Sequence, residues 1–140
     1  MRANRILTGS VLMVVAFVFA ASTATFTQTE KTPSQTYMEY HAALQKAKSI
    51  NDVMSFMSAK RKKEGESMPA ELKSGMIQMM RDGGLQPGYK VIKEDKTATD
   101  ATLQLEGVDK GKNKTLTIVK MVREAGAWKI DEEDNKTTVK

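Results

Sequence analysis

Thr115-Leu116-Thr117-Ile118-Val119-Lys120-Met121-Val122-Arg123-Glu124-Ala125-Gly126-Ala127-Trp128-Lys129-Ile130-Asp131 is the stretch whose reading decides the fold. Two β-prone runs flank Glu124-Ala125-Gly126, and the single tryptophan follows the glycine by two positions. The pattern predicts a hairpin with a three-residue loop and Gly126 in the left-handed conformation, pairing Arg123 with Ala127 and Val122 with Trp128. Side chains alternate along a strand, so this register puts Leu116, Ile118, Val122, Trp128 and Ile130 on one face. Val119 and Met121 fall on the other. Trp128 is expected in the core.

Upstream of the hairpin the period changes. Tyr89 to Glu94 and Thr99 to Glu106 read as strands, with Ala101, Leu103 and Leu105 on one face of the second. Turns are expected at Lys96-Thr97 and at Asp109 to Asn113. Before Gly83-Gly84 the apolar spacing is helical. Thr32-Pro33-Ser34-Gln35 combines an N-cap threonine, a proline at the first helical position and a glutamine placed to close a capping box. Tyr37, Tyr40, His41, Leu44 and Ala47 then form one stripe. Ser49 to Asp52 repeats the capping pattern for a shorter helix with Ile50, Val53, Met54 and Met57 inward. Lys60-Arg61-Lys62-Lys63 interrupts the apolar pattern, and Glu64 to Ser67 continue as polar chain. Pro69 opens a third helix whose buried side is Leu72, Met76, Ile77, Met79 and Met80, ended by the glycine pair. Three helices followed by a four-stranded antiparallel meander make an α+β layer structure.

The N-terminus carries an address. Arg2 and Arg5 precede a run of about 16 uncharged residues, Ile6 to Ala21, followed by the small residues Ser22 and Ala24. That run is shorter than the roughly 20 residues needed to span hydrocarbon. Residues 1–24 therefore read as a cleaved signal peptide, 25–31 as a disordered lead-in, 32–131 as one domain and 132–140 as a charged flexible tail. The expected location is periplasmic or secreted, with membrane contact only through the signal peptide. Without Arg2 and Arg5 the chain keeps 20 basic and 17 acidic residues, a net charge of +3. So mild a balance, in an exported protein, argues against nucleic-acid binding. The chain has no cysteine, which removes thiol chemistry and disulfides.

Helix-helix-helix followed by a meander ending in Glu124-Ala125-Gly126-Ala127-Trp128-Lys129-Ile130 resembles the nuclear transport factor 2-like (cystatin-like) superfamily. Ala47 to Val53, Ser58 to Arg61 and Ala98 to Leu103 resemble uncharacterised exported bacterial proteins of that superfamily. The resemblance spans Thr32 to Asp131 and implies a cone-like roll whose open end can hold a small molecule. It hosts isomerases, cyclases, dehydratases and binding domains, so fold alone does not assign function. Enzymes of the superfamily place an acid or a histidine inside the cone. The candidates here are His41, the sole histidine, with Tyr40, Asp100 and Asp131.

The expected ligand wall is Tyr37, Tyr40 and His41 with Trp128 nearby, and the expected ligand is a small apolar molecule or an envelope protein. Against this, His41 also reads as an ordinary half-buried helix residue. Lys60, Arg61, Lys62 and Lys63 could meet an anionic surface, or simply solvate a loop beyond a helix C-terminus. Met54-x-x-Met57 and Met76-x-x-Met79-Met80 suit Cu(I) by softness but coincide with the apolar stripes, where methionine packs cores. No metal, no cofactor and no catalytic residue is expected. Three functional readings result: a non-catalytic binding domain, a ketosteroid-isomerase-like or cyclase-like enzyme, and a homodimer formed through the sheet face carrying Val119 and Met121.

Overall fold

The computed structural model describes residues 29–138. The expected signal peptide lies outside the described residues, as does most of the lead-in. Helix α1, Pro33–Lys46, starts as its sequence dictates. The Thr32 side chain accepts from the Gln35 amide, and the Gln35 side chain accepts from the Thr32 amide at 2.9 Å. Its stripe of Tyr37, Tyr40, His41 and Leu44 is buried. The second expected helix is instead two short 3₁₀ turns, Ile50–Asp52 and Met54–Phe56. Ile50 and Val53 still point inward, because tight turns keep the capping chemistry without the length of an α-helix.

The basic run is not a loop. It lies in helix α2, Ala59–Glu66, whose N-terminus is capped by the Ser58 hydroxyl and by the Glu124 carboxylate on the Ala59 amide. Helix α3, Ala70–Gly83, buries a narrower stripe than expected. Ile77 is buried with Met76 and Met80 packed against the core, while Leu72 and Met79 are 60% and 73% exposed. They stand four before and three after Met76, on the side of that residue turned away from Ile77 and Met80. Among the described residues no helix is long and apolar enough to cross a membrane.

Strands β1 (Lys90–Lys96), β2 (Asp100–Val108), β3 (Lys114–Glu124) and β4 (Ala127–Thr138) form one antiparallel sheet in that order. The expected α+β class, helices on one face of a four-stranded meander, is therefore the observed one. The hairpin differs in one decisive detail. Its loop has two residues, Ala125 and Gly126, at φ 49° and 78°, and Glu124 pairs with Ala127. Two left-handed residues make a turn whose twist matches that of the strands. Arg123 now faces Trp128, and the one-residue slip exchanges the faces of β3.

Val119 and Met121 consequently join Ala101, Leu103, Leu105, Trp128 and Ile130 under the helices, nearly inaccessible. Leu116, Ile118 and Val122 occupy the outer face among charged neighbours. The sheet face carrying Val119 and Met121, expected to be a dimer face, is the one that the helices cover.

Strand β4 also overturns the charged tail, because the ladder continues to Lys114–Thr138. A bulge sits within it. Lys120 pairs with Glu132 and Met121 with Ile130, leaving Asp131 as the extra residue. The Ser58 hydroxyl donates to Asp131 at 2.7 Å, and the Ser58 amide donates to the Ile130 carbonyl at 2.9 Å. The bulge shifts the alternation by one. Beyond it Glu133, Asn135 and Thr137 turn toward the helices, where the unbulged strand would present Glu132, Asp134 and Lys136.

Candidate functional site

An aromatic cluster fills the space between α1 and the sheet. Tyr37 and Tyr40 are buried with ring centroids 5.6 Å apart, and Tyr89 meets Tyr37 edge-on at 5.8 Å. Phe56 closes on Tyr40 at 5.9 Å. The cavities that line the described residues are surface recesses. The buried rings of Tyr37 and Tyr40 lie beneath α1, and polar side chains gather at the rim beside Tyr40.

His41 is part of that packing. It is buried, its ring stands against Tyr89 at 4.7 Å, and Nε2 lies 2.7 Å from the Leu85 carbonyl. A carbonyl only accepts, so Nε2 carries the proton that it donates. Of the expected acids, Asp100 is exposed at the first position of β2, accepting from the Thr99 hydroxyl, and Asp131 serves the bulge. Trp128 borders a separate groove with Thr29, Glu30 and Lys31, away from the tyrosines. Tyr37, Tyr40 and His41 are thus brought together under α1, while Trp128 lines a different groove.

The acid that enters the rim is Glu133. It borders a recess of about 230 Å³ with Tyr40, Arg61, Asn135 and the end of α3 at Met79, Met80 and Gly84. Each element supplies its side chain for a local reason. The Tyr37–Tyr40 spacing keeps both rings on the inner face of α1, the Ser58 cap sets where α2 begins and so where Arg61 points, and the Asp131 bulge turns Glu133 inward.

The electrostatics follow from burial. Loss of water raises the Glu133 pKa above the ordinary carboxylate range, and Arg61 and the Tyr37 hydroxyl only partly offset it. Tyr37 donates to Glu133 Oε1 at 3.4 Å. Burial first, then the neighbouring Glu133, pushes the ionisation of Tyr37 and Tyr40 well above the usual phenol range. Tyr89 is pushed up to about 12 by the same causes. Arg61 Nη1 is buried without a hydrogen-bond partner. Asn135 Oδ1 accepts from Thr117 at 2.5 Å, which leaves its amide NH₂ as a donor. The recess thus presents a guanidinium, a phenol, an amide and a carboxyl group with an affinity for its proton.

The rest of the basic run has other roles. Lys60 reaches Asp131 at 3.7 Å and Glu132 at 3.4 Å, and Lys120 reaches Glu132 at 2.7 Å. Lys60 is thereby tied to β4 at the bulge, and Arg61 points to the rim. Sequence reading missed Glu133 and Asn135 because Glu132 to Lys140 looks like solvated chain. The available signal was length: β3 starts at Lys114, so an antiparallel partner must run equally far past the turn.

No protein-family model matches the chain, and no curated sequence matches it. A solved structure of a nuclear transport factor 2-like protein of unknown function from Shewanella baltica OS155 is similar at a TM-score of 0.47 and 12% identity. The alignment covers 79% of this chain and 99% of that one.

Proposed function

We propose that this chain is a non-catalytic binding domain, exported to the envelope, that takes a small carboxylate in the rim recess. The observation that carries the reading is the buried Arg61 Nη1, a charged donor without a protein acceptor, beside the Tyr40 phenol and the Asn135 amide. Convergent donors favour an anion, and guanidinium matches a carboxylate in geometry and charge. The ligand is therefore polar, in place of the apolar molecule expected from the tyrosines. At about 230 Å³ the recess is smaller than drug-sized pockets of about 300–1,000 Å³, which favours a small one. Arg2, Arg5 and the uncharged run after them support export.

Saturation-transfer NMR with acetate, propionate and benzoate at pH 5 tests the reading. Transfer to at least one that disappears in Arg61→Ala, with Lys62→Ala unaffected, supports it. No transfer to any of the three, or equal transfer to both variants, overturns it.

A second reading, acid-base catalysis at the same recess, is favoured by Glu133, whose raised pKa suits a proton-transfer group. Turnover of an enone or ketosteroid that vanishes in Glu133→Gln would establish it.

A further inference from the structure

Five of the methionines come together from separate parts of the chain. Met54 lies in the second 3₁₀ turn, Met57 at its end, Met68 after α2, and Met76 and Met80 on α3, and all five line one recess of about 100 Å³. Helical spacing in the sequence brings together only the pairs within each element. The fold joins them. Met57 is buried and the other four are half-buried, so the thioethers border a space that opens to solvent.

Gly65 sits within α2 on the same recess, although glycine costs about 1 kcal/mol there relative to alanine. A Cβ at that position would stand 3.4 Å from Met54 Cε and 3.7 Å from Met54 Sδ. The missing side chain leaves the Met54 thioether against bare helix. Arg61 and Glu64 border the recess three residues apart on α2, so the charge they bring to the rim is balanced.

We propose that this recess is a thioether site for Cu(I). The space is far below the roughly 300 Å³ at which organic-ligand pockets begin, so it suits an ion better than a molecule. Thioether sulfur is a soft donor that selects Cu(I) over hard cations. Three or more of the five sulfurs would supply its ligands without any cysteine or histidine. The site adjoins the carboxylate recess, with which it shares Arg61 and Met80, but draws its ligands from the thioethers.

Ag(I), a soft d¹⁰ cation that needs no reductant, is the probe. The full chain, labelled with ¹³C at the methionine methyls, is titrated with Ag(I) and compared with Met54→Leu/Met76→Leu. Leucine keeps the volume of methionine, so the variant should fold with little loss, and circular dichroism checks this. A methyl shift common to Met54, Met57, Met68, Met76 and Met80 is expected, with Met38 unmoved on its exposed face. Competition with a chromophoric Cu(I) chelator should show at least tenfold weaker binding in the double variant. Gly65→Ala should keep the fold and weaken binding by filling the recess. Equal retention by wild type and the double variant, or shifts no larger than that of Met38, would overturn the proposal.

Discussion

Replacing Glu133 by glutamine separates the burial of a carboxylate from its shape. Burial raises the pKa of Glu133 in the fold above its value in the unfolded chain, about 4.3. Below that value both states are protonated and the group favours neither. Between the two values the unfolded chain loses its proton while the folded chain keeps it, so folding binds more protons and stability falls as pH rises. The slope from one such group is at most about 1.4 kcal/mol per pH unit. Above the folded value the cost is constant. Glu133→Gln removes this whole dependence and keeps an acceptor for the Tyr37 hydroxyl. The variant should therefore match the wild type near pH 4 and exceed it at higher pH, by a margin that grows until Glu133 ionises in the fold. Urea denaturation across that range, followed by Trp128 fluorescence, measures the difference. A difference that is flat with pH would refute the burial of Glu133. One that reverses sign would mean that Arg61 stabilises the carboxylate more than burial penalises it.

Trp128→Ala should cost roughly 3–5 kcal/mol, since only 6% of the tryptophan is exposed and truncation leaves a void in the core; thermal melts check it. Ser58→Ala removes both the α2 cap and the Asp131 bond at the bulge, and should cost about 1–2 kcal/mol by denaturant titration. Gly126→Val should lower the midpoint further than Gly126→Ala, because a β-branched residue tolerates φ 78° poorly. Secretion should yield a mature form beginning near Thr25, read by intact mass; retention of residues 1–24 in a membrane fraction would indicate an anchor.

Element order was legible in the sequence because local chemistry specifies it. The capping box at Thr32 and Gln35, the period-two run Ala101-Leu103-Leu105 and the glycine of the hairpin each act within a few residues. Face assignment was less legible. Loop length differs by one residue between a bulged and a tight turn, and Ala125 accepts a left-handed conformation that side chains rarely adopt, so the register could not be read from Gly126 alone. The candidate site was the least legible. Its acid depends on the bulge at Asp131, and that bulge is held by Ser58, 73 residues away. Arg61 appeared as one of four like charges, and only the placement of α2 separates it from Lys60, which pairs with β4. The methionines likewise read as core packing until the fold joined three segments of chain around one recess.

The central claim is that Arg61 holds an anion at the rim while Glu133 beside it keeps its proton. Calorimetric titration of propionate at pH 5 and pH 8, in wild type and Arg61→Ala, tests it most directly. Once Glu133 ionises, its charge opposes the ligand. At about 5 Å and an effective dielectric of about 20 the repulsion is roughly 3 kcal/mol, about a hundredfold in affinity. Tyr37 and Tyr40 stay neutral through this range. Saturable binding is expected at pH 5, binding that weakens as pH rises and Glu133 ionises, and loss of binding in Arg61→Ala. Binding that is equal at the two pH values, or that survives in Arg61→Ala, would contradict the claim.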